Sequence, residues 1–155
     1  ENLDNIIVYT DGACRNNGKK NAKAGIGVYF SDNDPRNVSE RLRGNQTNQN
    51  AELTAILQAL QILDKELKQL KKVTIYTDSD YSIKCINNYC PHWERTGWKT
   101  RDGQPIKNLE TIQNIYCLYR KYTIHFKHIR SHTGLTDRHS VGNDKADRLA
   151  TGSLN

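Results

Sequence analysis

Two hydrophobic rhythms alternate along this chain. Residues 6–10 (IIVYT) are an apolar, β-branched run that predicts a buried strand, and the run stops at a carboxylate, Asp11. Residues 73–78 (VTIYTD) repeat the pattern. Parallel neighbouring strands would therefore carry Asp11 and Asp78 at matching ends. AGIGVYFS (24–31) alternates Ile26, Val28 and Phe30. NVSERLRG (37–44) sets Val38, Glu40 and Leu42 against Ser39, Arg41 and Arg43, the pattern of a half-solvated edge strand. Short connections among these three imply an antiparallel meander. The period then lengthens. Residues 46–70 read as one long helix capped by Thr47 or Asn48, with Ala51, Ala55 and Ala59 recurring every four residues to let it approach a sheet. Residues 80–90 predict a second helix. Residues 109–122 predict a third, with Leu109, Ile112, Tyr116 and Tyr119 on one stripe. Residues 123–131 predict a last strand and 144–153 a short terminal helix. The order is that of an α/β chain: a mixed five-stranded sheet flanked by helices, in a single domain spanning residues 1–155.

Charge narrows the class. The 155 residues carry a formal net charge of +6, which favours an acidic partner, nucleic acid first, over a protein that merely has many surface lysines. Residues 91–108 interleave Trp93 and Trp98 with Arg95, Lys99, Arg101 and Lys107, as expected of a basic protrusion that binds nucleic acid. No apolar run approaches the roughly 20 residues of a membrane span, so no membrane partner is expected. Cys14, Cys85, Cys90 and Cys117 are scattered without a C-x-x-C and read as reduced thiols of an intracellular protein. His128 and His132 have a spacing that zinc sites use, but no Cys pair accompanies them and Gly134 follows closely.

The candidate chemistry lies in four acids. Asp11 and Asp78 end strands, Glu52 opens an alanine seam, and Asp147 sits in the terminal helix beside Leu149 and Ala150. For Glu52 alone, a favourable place at a helix N-terminus would suffice as explanation. Four converging carboxylates without matching cations would repel one another and resist burial, and a bound divalent ion removes that conflict. Oxygen-only ligands suit Mg²⁺ or Mn²⁺ rather than zinc. With a basic surface around them, two such ions point to phosphodiester cleavage.

YTDGAC, QTNQNAEL, YTDSDY, GWKT, SHTG and GNDKADRLA occur in the order and spacing of ribonuclease H type 1, and the likeness runs from Ile6 to about Gly152. TNQNAE and GWKTRDGQPIKN most resemble the eukaryotic-type catalytic domain. The resemblance implies a ribonuclease H-like fold. It also implies hydrolysis of the RNA strand of RNA–DNA hybrids with two Mg²⁺ ions, leaving 5′-phosphate and 3′-hydroxyl ends, by a monomer. Carried over by position, Asp11, Glu52, Asp78 and Asp147 match the metal-binding carboxylates, whereas Asp144 matches a position outside the four. His132 matches a loop histidine tied to proton handling or product release. Cys14, Asn17, Asn48 and Gln49 match RNA-strand contacts, Cys14 mainly through its backbone. Thr47 and Asn108 match a DNA phosphate pocket, although Asn108 also suits a helix N-cap. Tyr89 stands where the family usually has a Trp that stacks on sugar, with Tyr81 and Trp93 near it in sequence and Lys99 and Arg101 in the basic segment. Asn45 replaces an arginine usual in eukaryotic members, and Arg43 is the residue able to substitute for it. Rival readings are a retroelement reverse transcriptase's ribonuclease H domain, a non-catalytic hybrid-binding module and a junction resolvase. The complete set of four acids argues against the module, and the basic segment and TNQNAE against the resolvase.

Overall fold

The computed structural model describes residues 4–155. Its five strands are β1 (Asn5–Arg15), β2 (Lys23–Tyr29), β3 (Val38–Arg41), β4 (Lys72–Thr77) and β5 (Ile124–His128). They form one sheet in the order β3-β2-β1-β4-β5. The first three make the expected antiparallel meander, and β4 and β5 join in parallel. The repeated Tyr-Thr-Asp is in register, with Tyr9 opposite Tyr76 and Thr10 opposite Thr77. One expectation is corrected. Asp11 does not end its strand, because β1 runs on to Arg15 against β2, with Asp11 opposite Gly27. The apolar run marks only the stretch that pairs with β4, Asn5–Thr10. Beyond Thr10, β2 alone satisfies the β1 backbone.

Helices α1 (Asn48–Ile62), α2 (Asp64–Lys68), α3 (Asp80–Lys84), α4 (Cys90–Thr96), α5 (Leu109–Lys121) and α6 (Arg138–Gly152) complete the fold. Thr47 caps α1 by accepting from the Asn50 N–H. The single helix expected over 46–70 is broken at Leu63, and the break lets both Leu63 and Leu67 stay fully buried. Pro91 reads as a helix stop, yet helical structure continues from Asp80 through Thr96. A π-helical turn at Cys85–Tyr89 bonds the Cys90 N–H to the Cys85 carbonyl. Pro91 then falls directly after the π turn, at the start of α4. Helix α6 begins at Arg138 rather than 144, because Asp137 caps the Ser140 N–H. The polar run before residue 144 hid that start.

Alternation along β1 places α1 and α6 on opposite faces of the sheet. Ala51, Ala55 and Ala59 are completely buried, together with Leu53, Ile56 and Leu60. On the other face Gly27 lies under α6, where a Cβ would clash with the Ala146 carbonyl oxygen.

Where α2 turns into β4, Leu70 is 80% exposed with φ +61. The Lys71 N–H reaches back to Glu66 O, the bond of a glycine-type helix C-cap. Leucine in this left-handed conformation costs about 1 kcal/mol. Leu70→Gly should therefore raise the melting temperature by about 2–4 °C. A thermal melt checks this, and an unchanged or lower value would remove strain at this turn from the account.

Candidate active site

Where β1 and β4 part, three acids from three elements meet. Asp11 stands on β1, Asp78 just beyond the end of β4, and Glu52 in the second turn of α1. One carboxylate oxygen from each lies within 4.8 Å of the other two. Gly12 makes this approach possible. Its N–H donates to Glu52 Oε1 at 2.7 Å and to Asp11 Oδ1 at 2.9 Å. A Cβ there would come within 2.5 Å of the Glu52 backbone nitrogen. Asp147, on α6, lines the same cavity and lies close enough to Asp11 to help raise its pKa, but stands outside the group of three.

Burial, then the neighbouring charges of Glu52 and Asp78, push the Asp11 carboxyl up to about 11. Burial first, and Asp78 next, hold the Glu52 carboxyl well above its ordinary range. These acids line a cavity of about 440 Å³ whose walls hold no Lys or Arg. Hard oxygen donors, partly buried and without a counter-cation, fit a divalent metal.

The other candidates divide among several places. Asn48, Gln49 and His132 line the acid cavity. Asn17 does not, but its Oδ1 accepts from the Asn48 N–H at 3.1 Å and ties the β1–β2 loop to the start of α1. Cys14 turns its thiol to Gln46 O at 3.7 Å. Tyr89, Trp93, Lys99 and Arg101 share a separate cavity of about 770 Å³, with the Tyr89 and Trp93 rings 5.6 Å apart. Tyr81, expected among them, instead lines the acid cavity. Thr47 and Asn108 line neither. Asn108 stands at the start of α5 with φ +61 and no side-chain capping bond. Trp98 sets its ring edge-on to Tyr116 at 6.2 Å, and Lys99 pairs with Pro105 across a short hairpin. The sequence reading missed Asp80, Ser79 and Ser131 in the acid cavity. The doubled acid in YTDSD was the available signal for Asp80, which is exposed and paired with Lys84 at 2.8 Å.

The sequence pattern of the RNase H family matches residues 4–155. The chain belongs to that family. It is 42% identical over 147 residues to ribonuclease H1 of Mus musculus, covering 95% of this chain and 49% of the relative. The chain thus spans about half the length of that curated relative. A ribonuclease H of Cupriavidus pinatubonensis is 34% identical over 150 residues, covering 96% of this chain and 94% of its own. Among solved structures, a foamy viral protease–reverse transcriptase in complex with RNA/DNA hybrid superposes with a TM-score of 0.77 at 27% identity. That match covers 96% of this chain and 20% of the viral one. For this RNase H-family chain, the acid group and the family together point to dependence on a divalent metal.

The metal-free state has a characteristic pH response. Burial and the charges of Glu52 and Asp78 hold a proton on Asp11 in the folded protein well above the pH of about 4 at which the unfolded chain releases it. That contribution is full below about pH 4 and is lost as pH rises through the raised folded value. In EDTA, stability should therefore fall as pH rises from 5 to 9, and Asp11→Asn should flatten the slope and raise the melting temperature at pH 8. Melts at several pH values check this. A clear loss of stability in Asp11→Asn across the range would make the acid structural.

Proposed function

We propose that this chain is an endoribonuclease that hydrolyses the RNA strand of RNA–DNA hybrids by two-metal-ion catalysis, leaving 5′-phosphate and 3′-hydroxyl ends. The observation that carries the reading is the trio of carboxylates, two buried and one half-buried, with oxygens within 4.8 Å of one another, in a chain of the RNase H family. Asp11, Glu52, Asp78 and Asp147 would hold two Mg²⁺ ions, for which Mn²⁺ can substitute. Bound ions of this kind offset phosphate charge and lower the pKa of an attacking water.

The chain's own side chains supply the rest. Asn48 and Gln49, exposed at the rim of the cavity, offer amide donors and acceptors to 2′-hydroxyls. Asn17 fixes the Asn48 backbone and keeps its own NH₂ for the RNA strand. Cys14 contributes backbone. His132, exposed at the cavity mouth, hands on a proton or aids product release. Tyr89 and Trp93 present flat faces to deoxyribose, with Lys99 and Arg101 beside them for phosphate. Thr47 and Asn108 serve a DNA phosphate. The Thr47 oxygen accepts from the Asn50 N–H, so its hydroxyl proton remains to be donated. Tyr81, which lines the acid cavity, would contact the DNA strand from that side.

Cleavage of hybrid should require Mg²⁺ or Mn²⁺ and stop in EDTA. Asp78→Asn should keep the fold and hybrid binding while cleavage falls by more than the roughly 100-fold that loss of a supporting residue causes. Cutting of labelled hybrid at near wild-type rate by that variant would refute the carboxylate site.

Strand specificity gives a second test. In otherwise identical DNA duplexes, runs of four and twelve ribonucleotides should be cut. A single ribonucleotide should resist, because it offers too few 2′-hydroxyls to Asn17, Asn48 and Gln49. Efficient cutting at the single ribonucleotide would exclude the type 1 reading.

A further inference from the structure

Each Tyr-Thr-Asp carries a tyrosine two residues before its acid, and the two tyrosines close on one histidine. Tyr9 Oη lies 2.8 Å from His139 Nδ1, and Tyr76 Oη lies 3.2 Å from His139 Nε2. The imidazole is stacked on the Tyr76 ring, with centroids 4.1 Å apart and planes 13° from parallel. His139 is in the first turn of α6. In the next turn Gly142 lies flush on Tyr9, where a Cβ would come within 2.5 Å of the ring.

We propose that His139 is a positioning residue, which with Tyr9 and Tyr76 clasps the start of α6 to β1 and β4 and so sets where Asp147 stands relative to Asp11 and Asp78. The inference rests on the four-carboxylate reading above.

Asp147 is the member whose place depends on helix docking. Asp11 and Asp78 ride on paired strands, and Glu52 is tied to Gly12. Asp147 lies just over two turns beyond His139, about 12 Å along the helix, and touches only the edge of the acid group. At the other end, Gly27 and Gly25 let α6 settle against β2, and Ser39 Oγ of β3 donates to Leu149 O. The clasp gives the start of α6 its own polar tie to β1 and β4, so the helix is restrained from sliding and rotation at both ends. The clasp also anchors the chain leaving the His132 loop. A neutral imidazole can share a hydrogen bond with the Tyr9 hydroxyl at Nδ1, while Tyr76 contributes its stacked ring and a hydroxyl close to Nε2. Burial, and then the Arg138 charge, favour that neutral form, with Lys127 of β5 acting the same way and Asp137 opposing them.

The test uses His139→Phe, which keeps a stacking ring but removes both polar contacts, and His139→Gln, whose amide both donates and accepts. Mn²⁺ binding is read from loss of the free-ion electron paramagnetic resonance signal, alongside kcat and KM on hybrid with Mg²⁺. His139→Phe should weaken Mn²⁺ binding and lower kcat, each by about tenfold to a hundredfold, while KM for hybrid stays near wild type. His139→Gln should recover a substantial part. If His139→Phe does not fold, Tyr76→Phe removes one hydroxyl alone and should show the same effects in milder form. Wild-type Mn²⁺ affinity and kcat in the folded variants would overturn the proposal. Equal impairment by Phe and Gln that tracks only melting temperature would overturn it too, since that pattern marks plain packing. A wild-type protein that neither binds Mn²⁺ nor cuts hybrid would instead sink the functional reading, and this inference with it.

Discussion

Everything at this site follows from holding like charges together out of water. Asp11, Glu52 and Asp78 would separate if their backbones allowed it. The β1–β4 ladder, the bare Gly12 and the close alanine seam of α1 do not allow it. The fold supplies this constraint with bonds that are individually ordinary. Parallel strands in register bring two acids to one end of the sheet, and a helix packed at van der Waals contact delivers the third. Protonation relieves the repulsion in the free protein, and a divalent cation relieves it in the working state.

Much of this was legible in the chain. The doubled Tyr-Thr-Asp places Asp11 and Asp78 at matching ends on the condition that the two strands are parallel neighbours, and β1 and β4 do pair in that register. The alanine repeat named the helix face that meets the sheet. What stayed hidden had a common cause: it depended on backbone partners rather than on side-chain pattern. The extension of β1 past Asp11 is a matter of pairing with β2. The early start of α6 depends on Asp137 as a cap, set in a run whose polarity resembles a loop. Tyr9 and Tyr76 were visible in the repeat, yet their partner His139 comes from a distant helix, and no local pattern announces it.

The site is also layered. Beneath the acids, where β1 and β4 run side by side, lies an aromatic and imidazole layer of Tyr9, Tyr76 and His139, with Tyr29 at its edge. Above the acids, amides from the start of α1 and the His132 loop form the rim. Each helix therefore reaches the site by a different physical device: close backbone approach for α1, directional polar contacts for the start of α6, and loop geometry for His132.

The π turn at Cys85–Tyr89 has a consequence for phase. One additional residue in a helical turn rotates everything after it by about 100° relative to what came before. Tyr81 precedes that offset and faces the acids, whereas Tyr89, Trp93 and Thr96 follow it and share a stripe along the neighbouring cavity. One continuous helix thus serves two directions, with the turn acting as a mechanical indexing step between them. Were the same residues to wind as an unbroken α-helix instead, the aromatic stripe would swing about a quarter-turn around the helix axis.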